Sequence, residues 1–332
     1  MAYLFLVRQH VANVVEVGLI KRWSISVLII VTVLSGGCRR TGLQPGEGYV
    51  NVQGGRIWYR IVGSGTHTPL LLLHGGPGAP SYYLNPLAVL ADERPVIFYD
   101  QLGAGRSDKP TDISLWRVER FVQELSELRR ALGLTQVHIL GHSWGTMLAV
   151  DYMMTKPTGV RSLILASPSL SMGRWLKDAE TLKRTLPQSV RDAIARNEAA
   201  GTFDSPEYQS AMMEYYKRYL CRRNLRSDDV NKTLEELGQS VYRTMWGPSE
   251  FTVTGSLSTY ERGEQLKALN LPVLFTAGRY DEATPSTTAY YQSLIPGAKL
   301  RIFENSAHVT MQDEPEAYVR AVRDFLREVE SR

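Results

Sequence analysis

The stretch Val137-His138-Ile139-Leu140-Gly141-His142-Ser143-Trp144-Gly145-Thr146-Met147 reads as a short apolar strand that turns abruptly into a helix. Gly141 and Gly145 frame Ser143 in a G-x-S-x-G pattern, and two glycines let a strand turn sharply enough to leave a serine hydroxyl exposed at a helix N-terminus. Upstream, residues 116–132 repeat apolar side chains at helical spacing (Val118, Phe121, Val122, Leu125, Leu128, Leu132) and stop at Gly133, which predicts a crossover helix feeding this strand. Further out, short β-branched and aliphatic runs predict strands at 50–52, 57–62, 70–73, 96–100, 163–166, 273–277 and 300–303. Strands alternating with helices imply an α/β protein with a mostly parallel central sheet and helices on both faces.

Residues 169–262 break this rhythm: they hold no convincing strand and read as several helices rich in Tyr, Met, Lys, Arg and Glu. Insertions at the C-terminal edge of such a sheet lie where ligands bind, so this segment is expected to be a helical cap between a first core part, 47–168, and a second, 263–332. Residues 1–46 are set apart from the fold. After Lys21-Arg22-Trp23 comes the apolar run Ser24-Ile25-Ser26-Val27-Leu28-Ile29-Ile30-Val31-Thr32-Val33-Leu34, of signal-peptide length, and then Ser35-Gly36-Gly37-Cys38. Small residues before a cysteine resemble a bacterial lipobox, with Ser35 where leucine is usual. The expectation is export, with membrane attachment through a lipidated Cys38; a plain secretory signal or a short anchor is the alternative.

The 332 residues are 43% hydrophobic and 22% charged, the balance of a globular protein with a sizeable core, and the formal net charge is +4. No dense Lys/Arg run with interleaved aromatics suggests nucleic acid. The two cysteines, Cys38 and Cys221, make no disulfide framework, and no Cys/His cluster offers zinc spacing. The expected chemistry therefore needs neither metal nor cofactor.

A nucleophilic serine needs a base, and the six histidines narrow to one. His10 lies in the export segment, His67 in a surface turn, His138 within a strand, and His142 directly before the serine with its side chain turned away. His74 belongs to His74-Gly75-Gly76-Pro77-Gly78, which follows the 70–73 strand and resembles the HGGG-type loop that supplies an oxyanion-hole donor. One donor is assigned to Gly76, with Gly75 the adjacent alternative, and the other to Trp144; each such N–H stabilises developing charge by about 3 to 4 kcal/mol. His308 remains, on a loop after the last strand. The acid belongs on the turn after the penultimate strand, where Asp281 is the choice and Glu282 the alternative. Asp100 precedes the serine and is read as a brace of its own loop. The order Ser143, Asp281, His308 is that of the α/β-hydrolase fold.

The His74–Gly78 and Gly141–Gly145 motifs, with Asp100-Gln101-Leu102-Gly103-Ala104-Gly105-Arg106-Ser107, together resemble the proline iminopeptidase (prolyl aminopeptidase) family of serine peptidases. The resemblance continues through Tyr242-Arg243-Thr244-Met245-Trp246-Gly247-Pro248-Ser249-Glu250-Phe251-Thr252 and Gly278-Arg279-Tyr280-Asp281-Glu282-Ala283-Thr284-Pro285, and within the family it is strongest to the tricorn-interacting aminopeptidases. It implies Ser143, Asp281 and His308 as the triad, Glu250 and Glu282 as the pair that holds the substrate's free α-amino group, and Tyr242 as a residue lining the site. The implied partners are short peptides with a free N-terminus, cleaved after their first residue. An esterase or amidase for a small non-peptide substrate is the enzymatic alternative, since the triad is shared across the fold and only the cap selects. A catalytically idle binding module is the alternative outside enzymes.

Overall fold

The computed structural model describes residues 43–223 and 227–332. The apolar run and Cys38 lie outside the described residues. Among those described, no helix is long and apolar enough to cross a membrane.

Among the described residues eight strands, numbered in chain order as β1 (Gly46–Val52), β2 (Gly55–Val62), β3 (Leu70–Leu73), β4 (Val96–Tyr99), β5 (Val137–His142), β6 (Val160–Ala166), β7 (Val273–Gly278) and β8 (Lys299–Phe303), form one sheet in the order β1-β2-β4-β3-β5-β6-β7-β8. From β4 through β3, β5, β6, β7 and β8 every pairing is parallel. The antiparallel hairpin of β1 and β2 closes one edge against β4. β1 starts four residues before the 50–52 expected, and Leu43 ahead of it already packs on the core. Its outer part carries no apolar alternation because it lies exposed at the sheet's edge.

β3, β4, β5 and β7 are buried along their whole length, which is why they read as unbroken apolar runs. Their alternation sorts side chains onto two cores. Leu71, Leu73, Ile97, Ile139, Leu165 and Phe275 pack with α1 (Val118–Ala131), α2 (Trp144–Met154) and α8 (Pro285–Ser293). Leu70, Leu72, Val96, Phe98, Leu140, Ile164 and Leu274 pack with a 3-10 helix (Ser81–Asp92) and with the C-terminal helix (Pro315–Glu330), whose Tyr318, Val322, Phe325 and Leu326 form its apolar stripe.

Between β6 and β7 the described residues form five α-helices, α3 (Met172–Lys183), α4 (Gln188–Ala200), α5 (Pro206–Tyr219), α6 (Asp228–Glu235) and α7 (Gln239–Met245). Ser171, Ser205 and Ser227 start three of them by accepting the N–H of Arg174, Tyr208 and Val230. Ile194, Tyr208, Met212 and Tyr215 give this segment a core of its own. Its two ends meet in an antiparallel bridge, where Met172 N–H donates to Tyr260 O and Arg262 N–H to Leu170 O, both at 2.9 Å. The end of α5 is also stitched to the loop after β8, through His308 N–H to Tyr219 O (3.1 Å) and Val309 N–H to Leu220 O (2.9 Å).

Candidate active site

Ser143 stands between β5 and α2 with φ 52° and ψ −120°, a conformation that costs a residue with a side chain about 1 to 3 kcal/mol. The surroundings hold it there. Ser143 N–H donates to Ala166 O of β6, and its carbonyl accepts both the N–H and the hydroxyl of Thr146. The flanking glycines are required by contact: a Cβ on Gly141 would lie 2.2 Å from Gly145 O, and one on Gly145 would lie 2.2 Å from Leu73 O.

His308, from the loop after β8, lines the same pocket as Ser143, and Asp281 reaches the far side of its imidazole from the turn after β7. The His308 Nδ1 to Asp281 Oδ1 distance is 2.7 Å. Asp281 also accepts the N–H of Ala283 at 2.8 Å and of Gly278 at 3.3 Å. Glu282, the alternative acid, approaches the other ring nitrogen, with Oε1 3.8 Å from Nε2. Burial works against a charged imidazole, but Asp281, Glu282 and Glu250 outweigh it and raise the His308 pKa to about 9.

His142 packs against His308 with ring centres 4.7 Å apart. Its Nε2 is 2.9 Å from His308 O and its Nδ1 is 2.9 Å from Tyr83 Oη, while Gly75 N–H donates to that same hydroxyl at 2.8 Å. One tautomer satisfies every atom: Tyr83 O–H donates to Nδ1, and Nε2–H donates to the carbonyl of His308. Burial first, and then the charge on His308, holds the His142 pKa well below its usual value, consistent with a neutral ring. This brace between the His74–Gly78 loop and the His308 loop had no signal in the sequence, because Tyr83 and His142 are 59 residues apart.

Gly75 N–H is thus committed to Tyr83, whereas no hydrogen bond among the described residues takes up the N–H of Gly76 or Trp144. The indole of Trp144 is buried, and its Nε1–H donates to Gln101 Oε1 at 2.8 Å. His74 braces its own loop, with Nε2 accepting Gln101 N–H and Nδ1 bonded to Gly75 O; burial lowers its pKa to about 4. Asp100 accepts from Ser81, from Arg106 N–H and from the Arg106 guanidinium, and so holds the 101–107 loop.

Half-buried Glu250, from the cap, and buried Glu282 line one pocket of about 650 Å3 together with Ser143. Glu250 Oε1 accepts the Tyr242 hydroxyl at 2.7 Å. Glu282 Oε2 and Tyr215 Oη each lack a partner at ordinary hydrogen-bond distance among the described residues, although the Tyr215 hydroxyl is close enough to Glu282 to favour its charged form. Burial raises the pKa of both carboxyls, for Glu282 with the charge of Glu250 added. The pocket's one described Lys or Arg, Arg243, is paired with Asp204 at 2.8 Å on the exposed side. Among the described residues no group of His, Cys, Asp and Glu could hold a metal ion. The arrangement offers two desolvated carboxylates to a cation within reach of a serine, a histidine and two backbone donors.

Residues 68–315 match the model of the alpha/beta hydrolase fold. The chain is 46% identical over 285 residues to a proline iminopeptidase of Heyndrickxia coagulans, covering 85% of this chain and 99% of that protein. A proline iminopeptidase of Saccharolobus solfataricus is 37% identical, with 86% and 93% covered. The crystal structure of the Mycobacterium smegmatis proline iminopeptidase is 34% identical and superposes with a TM-score of 0.79 over 86% of this chain and 98% of its own. The sheet, the serine elbow and these similarities over most of each chain agree: this chain belongs to the proline iminopeptidase family of the α/β-hydrolase fold.

Proposed function

We propose that the protein is a serine aminopeptidase that removes the first residue, proline among them, from short peptides with a free N-terminus. The observation that carries this reading is the pair of half-buried Glu250 and buried Glu282, one oxygen of which lacks a partner at hydrogen-bond distance, in the pocket that Ser143 lines. Two desolvated carboxylates that share only the His308 imidazolium and have no Lys or Arg between them among the described residues are costly, and a substrate ammonium would relieve that cost.

In this mechanism the ammonium sits between Glu250 and Glu282, and Trp246 and Tyr242 offer aromatic faces to the ring or side chain of the first residue. The scissile carbonyl points its oxygen at the N–H groups of Gly76 and Trp144. Ser143 Oγ attacks the carbonyl carbon, His308 Nε2 takes the hydroxyl proton, and Asp281 stabilises the resulting imidazolium. His308 then gives that proton to the leaving nitrogen, the C–N bond breaks, and the shortened peptide departs. Water attacks the acyl-enzyme with His308 again as base and releases the amino acid. A panel of free and N-acetylated aminoacyl arylamides tests the reading: free amines should be cleaved and acetylated ones refused, whereas equal turnover would point to a general esterase or amidase.

We further infer that the enzyme is exported and held at a membrane through a lipid on Cys38. Support comes from the apolar 24–34 run and the Ser35-Gly36-Gly37-Cys38 sequence. Mass spectrometry of the mature N-terminus, with detergent-phase partitioning of the parent and of Cys38→Ser, tests this; an unlipidated mature chain beginning elsewhere would sink it.

A further inference from the structure

The nitrogen of His308 that must take the Ser143 proton is Nε2, because Nδ1 is committed to Asp281. Glu282 Oε1 lies 3.8 Å from that Nε2, within ion-pair reach, and both side chains are buried, where charges are poorly screened. The same carboxylate carries the unpartnered Oε2 in the pocket. One side chain thus faces both the catalytic base and the place where a substrate's amine would sit.

We propose that Glu282 restrains His308 in the empty site, and that the ammonium group of the substrate releases it by drawing the Glu282 carboxylate into a new ion pair. The proposal rests on the reading of Glu250 and Glu282 as the amine site and adds a second role for it. The free N-terminus then governs the rate of bond cleavage as well as binding.

The groups around His308 set the direction. Asp281 and Glu282 face it from the loop after β7, Glu250 from the cap, and the neutral His142 from the end of β5. The Trp175 ring, 6.1 Å away, does not titrate, and Tyr83 is bonded to His142. Asp313, beside the same loop, is turned to the N–H groups of Ala307, Arg222 and Arg223. Three carboxylates therefore hold a proton on His308, with a pKa of about 9, and a protonated base cannot accept the serine's proton. A bound ammonium brings a positive charge against Glu250 and Glu282 and cancels part of that field. The proton on His308 leaves to solvent, and Nε2 is free for Ser143. A substrate without an amine meets the base still charged.

The pH dependence of kcat reports groups in the enzyme–substrate complex, so the full chain is assayed at saturation with phenyl acetate, which has no amine, and with prolyl 4-nitroanilide, from about pH 5 to about pH 10. His308 serves acylation and deacylation alike, so the comparison holds whichever step limits. The acid limb for the ester is expected near the His308 value of about 9. The limb for the anilide is expected at least about one unit lower, and Glu282→Gln should bring the ester limb down by about a unit, raising ester turnover at neutral pH about tenfold. Coincident limbs for the two substrates in the unmodified chain overturn the proposal without need of any variant. If the limbs coincide and Glu282→Gln weakens only the anilide reaction, the amine-site reading stands without the restraint. If they coincide and the variant weakens both reactions alike, both fall.

Discussion

Asp281 and Glu282 are neighbours in sequence and equally buried, yet they belong to two differently finished walls of one site. The Asp281 carboxylate accepts from His308 and from two backbone N–H groups, and the Ser143 backbone is held by Ala166 and Thr146. Glu282 Oε2, by contrast, has no hydrogen-bond partner among the described residues, nor do Tyr215 Oη and Trp246 Nε1 in the adjoining cap. The wall assigned to the chemistry has its acid and its serine backbone held in place before substrate arrives, and what is left for substrate to change there is the proton on His308. The wall assigned to recognition is left unfinished. Glu282 Oε2 is the one of these that a ligand of the right charge would satisfy, which is how a buried site rejects molecules that lack that charge.

Variants of the finished wall should do the most damage. Ser143→Ala or His308→Ala is expected to lower kcat by several orders of magnitude with the fold retained, and Asp281→Asn by up to about ten-thousandfold, because the imidazole loses its orienting acceptor. These losses should be the same for amide and ester substrates. Retention of more than about a tenth of the activity in the serine or histidine variant, with native circular dichroism, would break the comparison at its base.

Glu250→Ala attacks the unfinished wall and should be selective. Removing one partner of a desolvated charge pair costs about 2 to 5 kcal/mol, so kcat/KM for a free aminoacyl arylamide should fall by roughly thirtyfold to a few thousandfold. A small aryl ester, which has no amine to lose, should not share that fall. Equal damage to both substrates would make Glu250 a structural residue.

The finished wall was also the legible one. Two glycines where an added Cβ would lie 2.2 Å from a backbone oxygen leave a local mark, G-x-S-x-G after an apolar strand, and strand ends point to Asp281 and His308 by position. Glu250 and Tyr242 have no such mark: they belong to a cap whose helices obey only amphipathic packing, and they were reached through family resemblance. Tyr83, Tyr215 and the bracing role of His142 were not reached at all, since each depends on partners brought together by the fold rather than by the chain. Likewise, the outer part of β1 was missed because an exposed edge strand needs no apolar alternation.

Tyr83→Phe sharpens the comparison with a smaller effect. Loss of the hydroxyl leaves Gly75 N–H and His142 Nδ1 buried without their partner, at a cost of about 1 to 3 kcal/mol. The loop carrying Gly76 and the carbonyl of His308 both loosen, so kcat should fall about tenfold to a hundredfold for amide and ester alike. A loss confined to the amide would move Tyr83 to the recognition wall.

The smallest effect expected is on stability, and it runs in the protein's favour. The carboxyl of Glu282 is raised well above its ordinary 4.5 by burial and by the charge of Glu250, although the charge on His308 pulls the other way. A carboxyl whose pKa is raised by folding contributes stability that is fully present below the unfolded value and is lost as pH rises through the folded one. As pH rises the parent loses this contribution, whereas Glu282→Gln has no carboxyl to ionise and keeps it. The His308 imidazolium, with its pKa raised to about 9, adds stability that is present below the unfolded imidazole value and lost as pH rises through about 9, and the variant forfeits part of it. The raised value of Glu282 already contains that attraction, so the gain should exceed the forfeit. Glu282→Gln should melt about 2 to 4 °C above the parent near neutral pH, with the difference closing toward pH 4.5 as the carboxyl takes up its proton. A variant that melts below the parent at neutral pH would mean that Glu282 is held chiefly by its pairing with His308, and the wall described as unfinished would then be complete without substrate.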